Sequence, residues 1–281
     1  MIGQVERVES DDPGTVDEAA RKELTPMAKP RSIVAFSGGM DSATLIYHLR
    51  NQGHEVIALS VDYGQRHRIE LSFAARFAEF VGIQRELADL SGITRLLGGS
   101  SLTDPSLPVP LGHYESETMK QTVVPNRNML LLAIATAFAV SQRAQYVAYA
   151  AHTGDHAIYP DCRPEFTDAM AKAISLCDWH TPELIRPFEK LAKADIVREG
   201  AALGVPFDLT WSCYEGGERH CGACGTCIER REAFLIATVK DPTEYAESAP
   251  AMVISNAKVN IDWSRTLSGG GRAKSERVKE I

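Results

Sequence analysis

The chain has 281 residues, 44% of them hydrophobic and 24% charged, and a formal net charge of −7. That length and apolar content can bury a full core, so one domain, or one with a small appendage, is expected. The acidic balance speaks against a broad nucleic-acid face and points to a small-molecule substrate.

Residues 1–29 are polar, carry Glu6, Asp11, Asp12, Asp17 and Glu18, and include Pro13 and Pro26. They read as a flexible leader with no secretory signal, which sets the expected compartment as the cytoplasm. From Arg31 the chain runs RSIVAFSGGMDSATLI. Ile33, Val34, Ala35 and Phe36 predict a strand, and Ala43, Leu45, Ile46 and Leu49 recur at helical spacing. Between them Ser37-Gly38-Gly39-Met40-Asp41-Ser42 forms a glycine turn. Glycine permits close approach of a ligand, and the helix start presents unpaired N–H groups, so the junction suits an anion, phosphate above all. No Lys follows the turn, so this is not the GxxxxGK[ST] loop. Backbone amides and the hydroxyls of Ser37 and Ser42 would do the holding. A plain turn capped by Ser37 is the competing reading.

Glu55–Val61 predicts a second strand, delivering Asp62-Tyr63-Gly64-Gln65-Arg66-His67 at its C-terminal end. Arg68–Val81 predicts a helix whose inner face is Leu71, Ala74, Ala75 and Ala78. Strand and helix alternate, which implies a parallel sheet with ligand beyond the strands' carboxyl ends, where Asp62 and Tyr63 become candidates for adenosine contacts. A short third strand covers Glu86–Ala88. Ser91–Gln121 has little periodicity and reads as a lid or a disordered insert.

Met129–Val140 is too short to span a bilayer and reads as a buried helix. Arg127 precedes it, where a cation is unfavourable unless an anion compensates, so it is a candidate phosphate or substrate contact; Asn126 or Asn128 is the candidate N-cap. Tyr146–Ala151 predicts the fourth strand. It leads into a loop, residues 152–166, dense in groups that bind metal or move protons. There Arg163 precedes a proline-initiated helix with Phe166, Ala169, Met170, Ala173 and Ile174, and could fork onto a carboxylate. Leu184–Phe188 predicts a fifth strand and Lys190–Leu203 a helix, with Lys193 in its first turn, where an anionic partner would again compensate.

Cys213, Cys221, Cys224 and Cys227 follow the spacing C-x7-C-x2-C-x2-C. In a reducing compartment this reads as a structural tetrahedral zinc site, with an iron–sulfur cluster as the competitor. Of the two remaining cysteines, Cys177 is expected in the core and Cys162 in the pocket loop.

The turn at 37–42 resembles the PP-loop of the ATP pyrophosphatase superfamily. Together with YGQRH, VPNRN, YPDCRPEF and the cysteine cluster, it resembles the 7-cyano-7-deazaguanine synthase (QueC) family from about Ser32 to about Leu235. The resemblance implies an α/β fold, a Rossmann-like five-stranded parallel sheet with helices on both faces (adenine nucleotide alpha hydrolase-like), plus a small C-terminal zinc-binding region. It divides the chain into a leader (1–29), an ATP-binding domain (30–207), a four-cysteine region with a helix (208–240) and a C-terminal extension (241–281), which is open to mobility. It also implies ATP with Zn2+ and room for Mg2+, a homodimer, no membrane, and conversion of 7-carboxy-7-deazaguanine and ammonium into the nitrile through adenylated acid and amide. Phe36, Ser37, Gly38, Gly39, Met40, Asp41, Ser42, Ala43, Thr44, Leu45, Ile46, Asp62 and Tyr63 would then bind ATP. Ser37, Asp41, Ser42, Arg127 and Lys193 would serve the reaction, and Tyr159, Asp161, Cys162 and Arg163 the deazaguanine. A PP-loop enzyme of tRNA, and a homologue that leaves the deazaguanine on a macromolecule, are the other readings; the leader and the tail after about 240 extend beyond the family pattern.

Overall fold

The computed structural model describes residues 29–255 and 258–264. Most of the expected leader, and the tail past residue 264, lie outside the described residues. Three strands come first, β1 (Arg31–Ala35), β2 (Glu55–Asp62) and β3 (Gln84–Asp89), joined by helices α1 (Met40–Asn51) and α2 (Ile69–Val81). Helix α3 (Arg127–Ser141), β4 (Tyr146–Ala148), α4 (Pro164–Ile174), β5 (Glu183–Ile185), α5 (Lys193–Leu203) and α6 (Gly225–Ala237) follow. The five strands are all parallel, in the order β3-β2-β1-β4-β5. The order reverses beside β1, and a crevice opens there at the carboxyl ends of β1 and β4.

Side chains alternate between the two faces of the sheet. Val34, Val56, Ala58 and Ala148 pack with α1, α2, α5 and α6 on one side. Ile33, Ile57, Leu59, Val61 and Val147 pack with α3 and α4 on the other. Both faces are covered, so β1 and β2 read as near-continuous apolar runs.

Several expectations are corrected. In α2 the buried positions are Glu70, Ala74, Phe77 and Ala78, whereas Ala75 is exposed, because a residue one step past Ala74 is turned about 100° around the helix. Ala169 and Ala173 of α4 are also exposed; Thr167 and Ile174 are buried instead. Cys177 lies past the end of α4 and is exposed, so it is no core residue. The last two predicted strands are shorter than expected, and α5 starts at Lys193. The stretch 91–121 is neither open lid nor disordered insert. It forms short 3-10 segments of about two turns each, Ser91–Leu96 and Glu117–Thr122, anchored by buried Leu97, Leu102, Tyr114 and Met119. An antiparallel hairpin, β6 (Ala251–Ser255) with β7 (Lys258–Asp262), closes the described chain.

Candidate active site

The turn after β1 is shaped by close backbone contacts. Gly38 has φ +91°, and a Cβ there would sit 2.6 Å from the carbonyl oxygen of Glu70. Its own carbonyl accepts a hydrogen bond from Trp211 N at 2.9 Å. Only glycine takes that φ and leaves room for the Glu70 contact. Gly39 N donates to Ser37 Oγ at 3.2 Å, and Ser42 Oγ donates to Gly39 O at 3.1 Å. The two hydroxyls are 3.4 Å apart, side by side over the start of α1.

They face a cavity of about 220 Å³. Phe36, Ser37, Gly39, Asp41 and Ser42 form one wall, Tyr63, His67 and Glu70 a second, and Arg127, Asn128, Tyr149 and Cys162 a third. Asp155 and Lys193 close one end, with Trp211, Ser212 and Tyr214 from the segment leading into α6 and Thr226 from its first turn. Sequence reasoning therefore joined Ser37, Asp41, Ser42, Tyr63, Arg127, Cys162 and Lys193, which converge here from segments far apart in the chain.

Other named residues fall elsewhere. Met40, Ala43, Leu45 and Ile46 are core, and Thr44 Oγ1 donates to Met40 O at 2.9 Å. Asp62 is turned to Gly64 N at 3.0 Å and to Arg68. Tyr159 is 1% exposed and hydrogen-bonds Thr122 Oγ1 at 2.7 Å and Tyr214 OH at 3.1 Å behind the wall. Asp161 Oδ2 accepts from Asn128 N at 3.0 Å. Arg163 is exposed, with Nε donating to His156 O at 2.9 Å. The expected sharing of the cavity by Asp161 and Arg163 is thus corrected. Successive residues of the 3-10 turn Pro160–Cys162 point in different directions, and the inward one is Cys162.

Asp161 also explains how Arg127 opens α3. Asn126 holds the cap position at φ 56° without a side-chain hydrogen bond, and Asn128 is no cap. The Asp161 carboxylate meets the helix start from another segment and accepts from its exposed N–H at Asn128, where a negative charge suits the helix dipole. Asn128 Nδ2 and Tyr149 OH both donate to Cys162 Sγ, at 3.2 and 3.1 Å. Burial pushes the Cys162 thiol well up, so it is protonated at neutral pH.

At the other end Lys193 Nζ lies 2.9 Å from Asp41 Oδ2, 2.8 Å from Glu229 Oε2 and 3.3 Å from His152 Nε2. Burial alone would lower its pKa; the carboxylates of Asp41, Glu229 and Asp155 outweigh that and raise it, so Lys193 stays an ammonium. Asp155 accepts from Tyr114 OH at 2.9 Å. Glu229, His152, Asp155, Glu70 and His67 had no assigned role in the sequence. The density of His and Asp after β4 was the signal for His152 and Asp155. At Glu70 burial itself wins, pushing its carboxyl up to about 8 against the pull of Gln65 and Arg127. Burial, then Arg127 and Arg66, hold His67 down at about 3.

The four cysteine sulfurs lie within 4.8 Å of one another, and Cys221 Sγ and Cys227 Sγ are 3.9 Å apart. Backbone N–H groups of Ala223 and Cys224 donate to Cys221 Sγ at 3.4 and 3.2 Å. Four thiols this close match one tetrahedral ion, whose Zn–S bonds of about 2.3 Å set neighbouring sulfurs about 3.8 Å apart. A cluster would spread them over several irons. The set can hold a metal.

A parallel sheet whose first strand turns through SGGMDS onto a cavity at the switch point defines a PP-loop nucleotide-binding protein. The profile of the family described as Queuosine biosynthesis protein QueC matches residues 31–238, and the chain belongs to the QueC family. A protein of Caldicellulosiruptor saccharolyticus named 7-cyano-7-deazaguanine synthase is 49% identical over 235 residues, 84% of this chain and 99% of that one. One of the same name from Allorhizobium ampelinum is 54% identical over 218 residues, 76% of this chain and 92% of its own. A third, from Methanoregula boonei, is 49% identical over 215 residues, covering 76% and 99%.

Proposed function

We propose that this chain is a carbon–nitrogen ligase that converts 7-carboxy-7-deazaguanine and ammonia into 7-cyano-7-deazaguanine at the expense of ATP, in queuosine biosynthesis. The observation that carries the reading is the SGGMDS turn opening on a cavity that also holds Arg127 and Lys193, in a chain whose relatives bear that enzyme's name.

The chemistry asks for positioning and for neutralised phosphate charge. A carboxylate oxygen attacks the α-phosphorus, and pyrophosphate leaves. Ammonia attacks the acyl carbon, AMP leaves, and a proton is lost to give the amide. The amide oxygen then attacks the α-phosphorus of a second ATP, pyrophosphate leaves and one N–H proton is lost, and elimination of AMP with the second N–H proton gives the nitrile. The backbone at Gly38, Gly39 and Met40 and the hydroxyls of Ser37 and Ser42 hold pyrophosphate in this reading. Lys193 neutralises the phosphates and Tyr63 borders the adenosine. Arg127 lines the cavity and meets an anionic oxygen there in this reading. Tyr159 and Asp161 act from behind, setting the wall on which Cys162 meets the base, and Arg163 has no direct part.

Asp41 Oδ1 is buried and has no hydrogen-bond partner among the described residues, which supports a Mg2+ ion arriving with ATP. The thiol set supports zinc as a structural ion. We take residues 30–207 as the ATP-binding unit and 208–240 as the metal-binding one, in a cytoplasmic homodimer. Among the described residues no helix is long and apolar enough to cross a membrane. Light scattering of the purified protein tests the dimer.

Mass spectrometry of the products tests the function. AMP and pyrophosphate release should require both 7-carboxy-7-deazaguanine and ammonium, with the nitrile as released product. ATP turnover indifferent to the base would overturn the reading. Tight tRNA binding weakened by salt, or deazaguanine mass added to a macromolecule, would move the chain to a different activity.

A further inference from the structure

Asp41, Glu229 and, at 3.3 Å, His152 Nε2 surround the ammonium of Lys193, and its two carboxylates come from different elements. Asp41 belongs to the phosphate-facing turn itself, whereas Glu229 belongs to α6, the helix that grows out of the cysteine knot. Cys224 is the residue capping α6 and Cys227 lies in its first turn. Two residues on, Glu229 is 8% exposed and reaches Lys193 Nζ at 2.8 Å through Oε2. Its other oxygen, Oε1, lies where a Cβ on Gly154 would come within 2.8 Å, so the loop after β4 fits around it.

The helix that carries Glu229 is itself pinned. Arg230 is fully buried and donates to Thr210 Oγ1 at 2.8 Å and to Phe207 O at 3.1 Å, and it pairs with Asp241 at 3.2 Å. Thr226 Oγ1 donates to Ser212 O at 2.7 Å, and both residues line the cavity. A lysine has four rotatable side-chain bonds and gives up much rotamer freedom when it is ordered. Asp41 alone fixes one of its three donors; a second acceptor from a rigid helix fixes the direction.

We propose that Glu229 is the positioning residue for Lys193, and that α6, anchored in the four-cysteine knot, is the element that aims this lysine at the phosphate-binding turn. This rests on the reading of Lys193 as an ATP contact. It gives the knot a task in the reaction beyond holding the fold together. Glu229 touches no reacting atom and acts through Lys193.

The test is a double-mutant cycle on ATP affinity, measured by calorimetry with ATP and Mg2+ and no base, beside kinetics with the base and ammonium. Glu229→Ala should weaken ATP binding about tenfold and raise the KM for ATP by a similar factor, with metal content and far-ultraviolet circular dichroism unchanged. Glu229→Gln, which keeps an oxygen for the ammonium, should recover most of that loss. In a Lys193→Ala background, Glu229→Ala should change ATP affinity less than twofold. A merely structural Glu229 would lower Tm in both variants and leave the KM for ATP alone. That outcome, or full additivity of the two substitutions, overturns the proposal. The calorimetric cycle does not involve the deazaguanine. Coupling in a protein that makes no nitrile would therefore uphold Glu229 and reject the function, whereas nitrile synthesis with additive effects would do the reverse.

Discussion

His67 Nε2 stands 3.4 Å from Glu70 Oε2 in the cavity wall, and burial drives their two pKa values in opposite directions. His67 is held down at about 3 in the fold, against 6.5 for a free imidazole, so the unfolded chain binds a proton that the fold refuses. Its contribution to stability therefore rises with pH from about 3 to about 6.5. Glu70 is held up at about 8 against 4.5, so the fold keeps a proton that the unfolded chain releases. That contribution is complete below pH 4.5 and is lost as pH rises toward 8. The two oppose each other between 4.5 and 6.5, and a net decline follows from 6.5 to 8, with a slope for each group of at most about 1.4 kcal/mol per pH unit. Glu70→Gln removes the falling limb. Urea unfolding at pH 5 and at pH 8 should find the variant gaining on the parent by about 1 kcal/mol or more at the higher pH; parallel pH profiles would refute the account.

Gly38→Ala separates backbone strain from the clash beneath the turn. A residue with a side chain at φ +91°, whose Cβ falls 2.6 Å from Glu70 O, must displace the start of α2. Gly53 supplies the control, with φ +88° and nothing within 4 Å of an added Cβ. Left-handed strain costs about 1–2 kcal/mol at either site. Gly38→Ala should lose about 2–3 kcal/mol in urea unfolding together with ATP affinity, and Gly53→Ala about 1 kcal/mol with ATP affinity intact. Equal losses from both would mean that the contact with Glu70 is not what fixes the turn.

The junction of β1 with α1 was legible in the sequence because its determinants are local: an apolar run, two glycines and helical spacing within sixteen residues. The cysteine cluster was legible for the same reason. Glu229 was not, since it meets Lys193 only through the packing of α6 on α5, across 36 positions of sequence. Glu70 carried no signal of its own in the sequence, because only the fold buries it beside the turn. Arg163 misled because a 3-10 turn carries three neighbouring residues to three sides, and sequence proximity to Cys162 placed it in a cavity it does not border. The packed stretch 91–121 was opaque because Leu97, Leu102 and Met119 anchor it one at a time, with no repeat to read.

Arg127 and Lys193 carry the cavity's positive charge from opposite ends, and their substitutions should behave differently. Arg127→Lys keeps the charge and loses the planar fork, so a loss of about 1–3 kcal/mol in kcat/KM, roughly ten- to hundredfold, is expected if the guanidinium grips an oxyanion with two donors. Lys193→Ala leaves Asp41 and Glu229 facing the phosphates with no cation between them. AMP release should fall by about a hundredfold or more. Initial rates at saturating base and ammonium check both; an Arg127→Lys enzyme at full kcat/KM would assign the arginine to packing on Tyr159, whose ring lies 5.5 Å from the guanidinium.

Stripping the metal should reach the cavity through α6. The four thiols within 4.8 Å would repel or rearrange once deprotonated without an ion between them, and Cys213 and Cys221 precede α6 while Cys224 caps it. Loss of the ion would then fray the first turn, which carries Thr226, and loosen Glu229 one turn further on. Metal binding is folding free energy in such knots, so removal by a chelator should lower Tm by several degrees and cut ATP affinity in parallel. Cys227→Ala should do the same without chelator. Elemental analysis should find one zinc per chain, with iron in its place reviving the cluster reading. If the metal-free protein kept full ATP affinity at a temperature well below its Tm, the knot would be energetically separate from the cavity and the path through α6 would carry nothing.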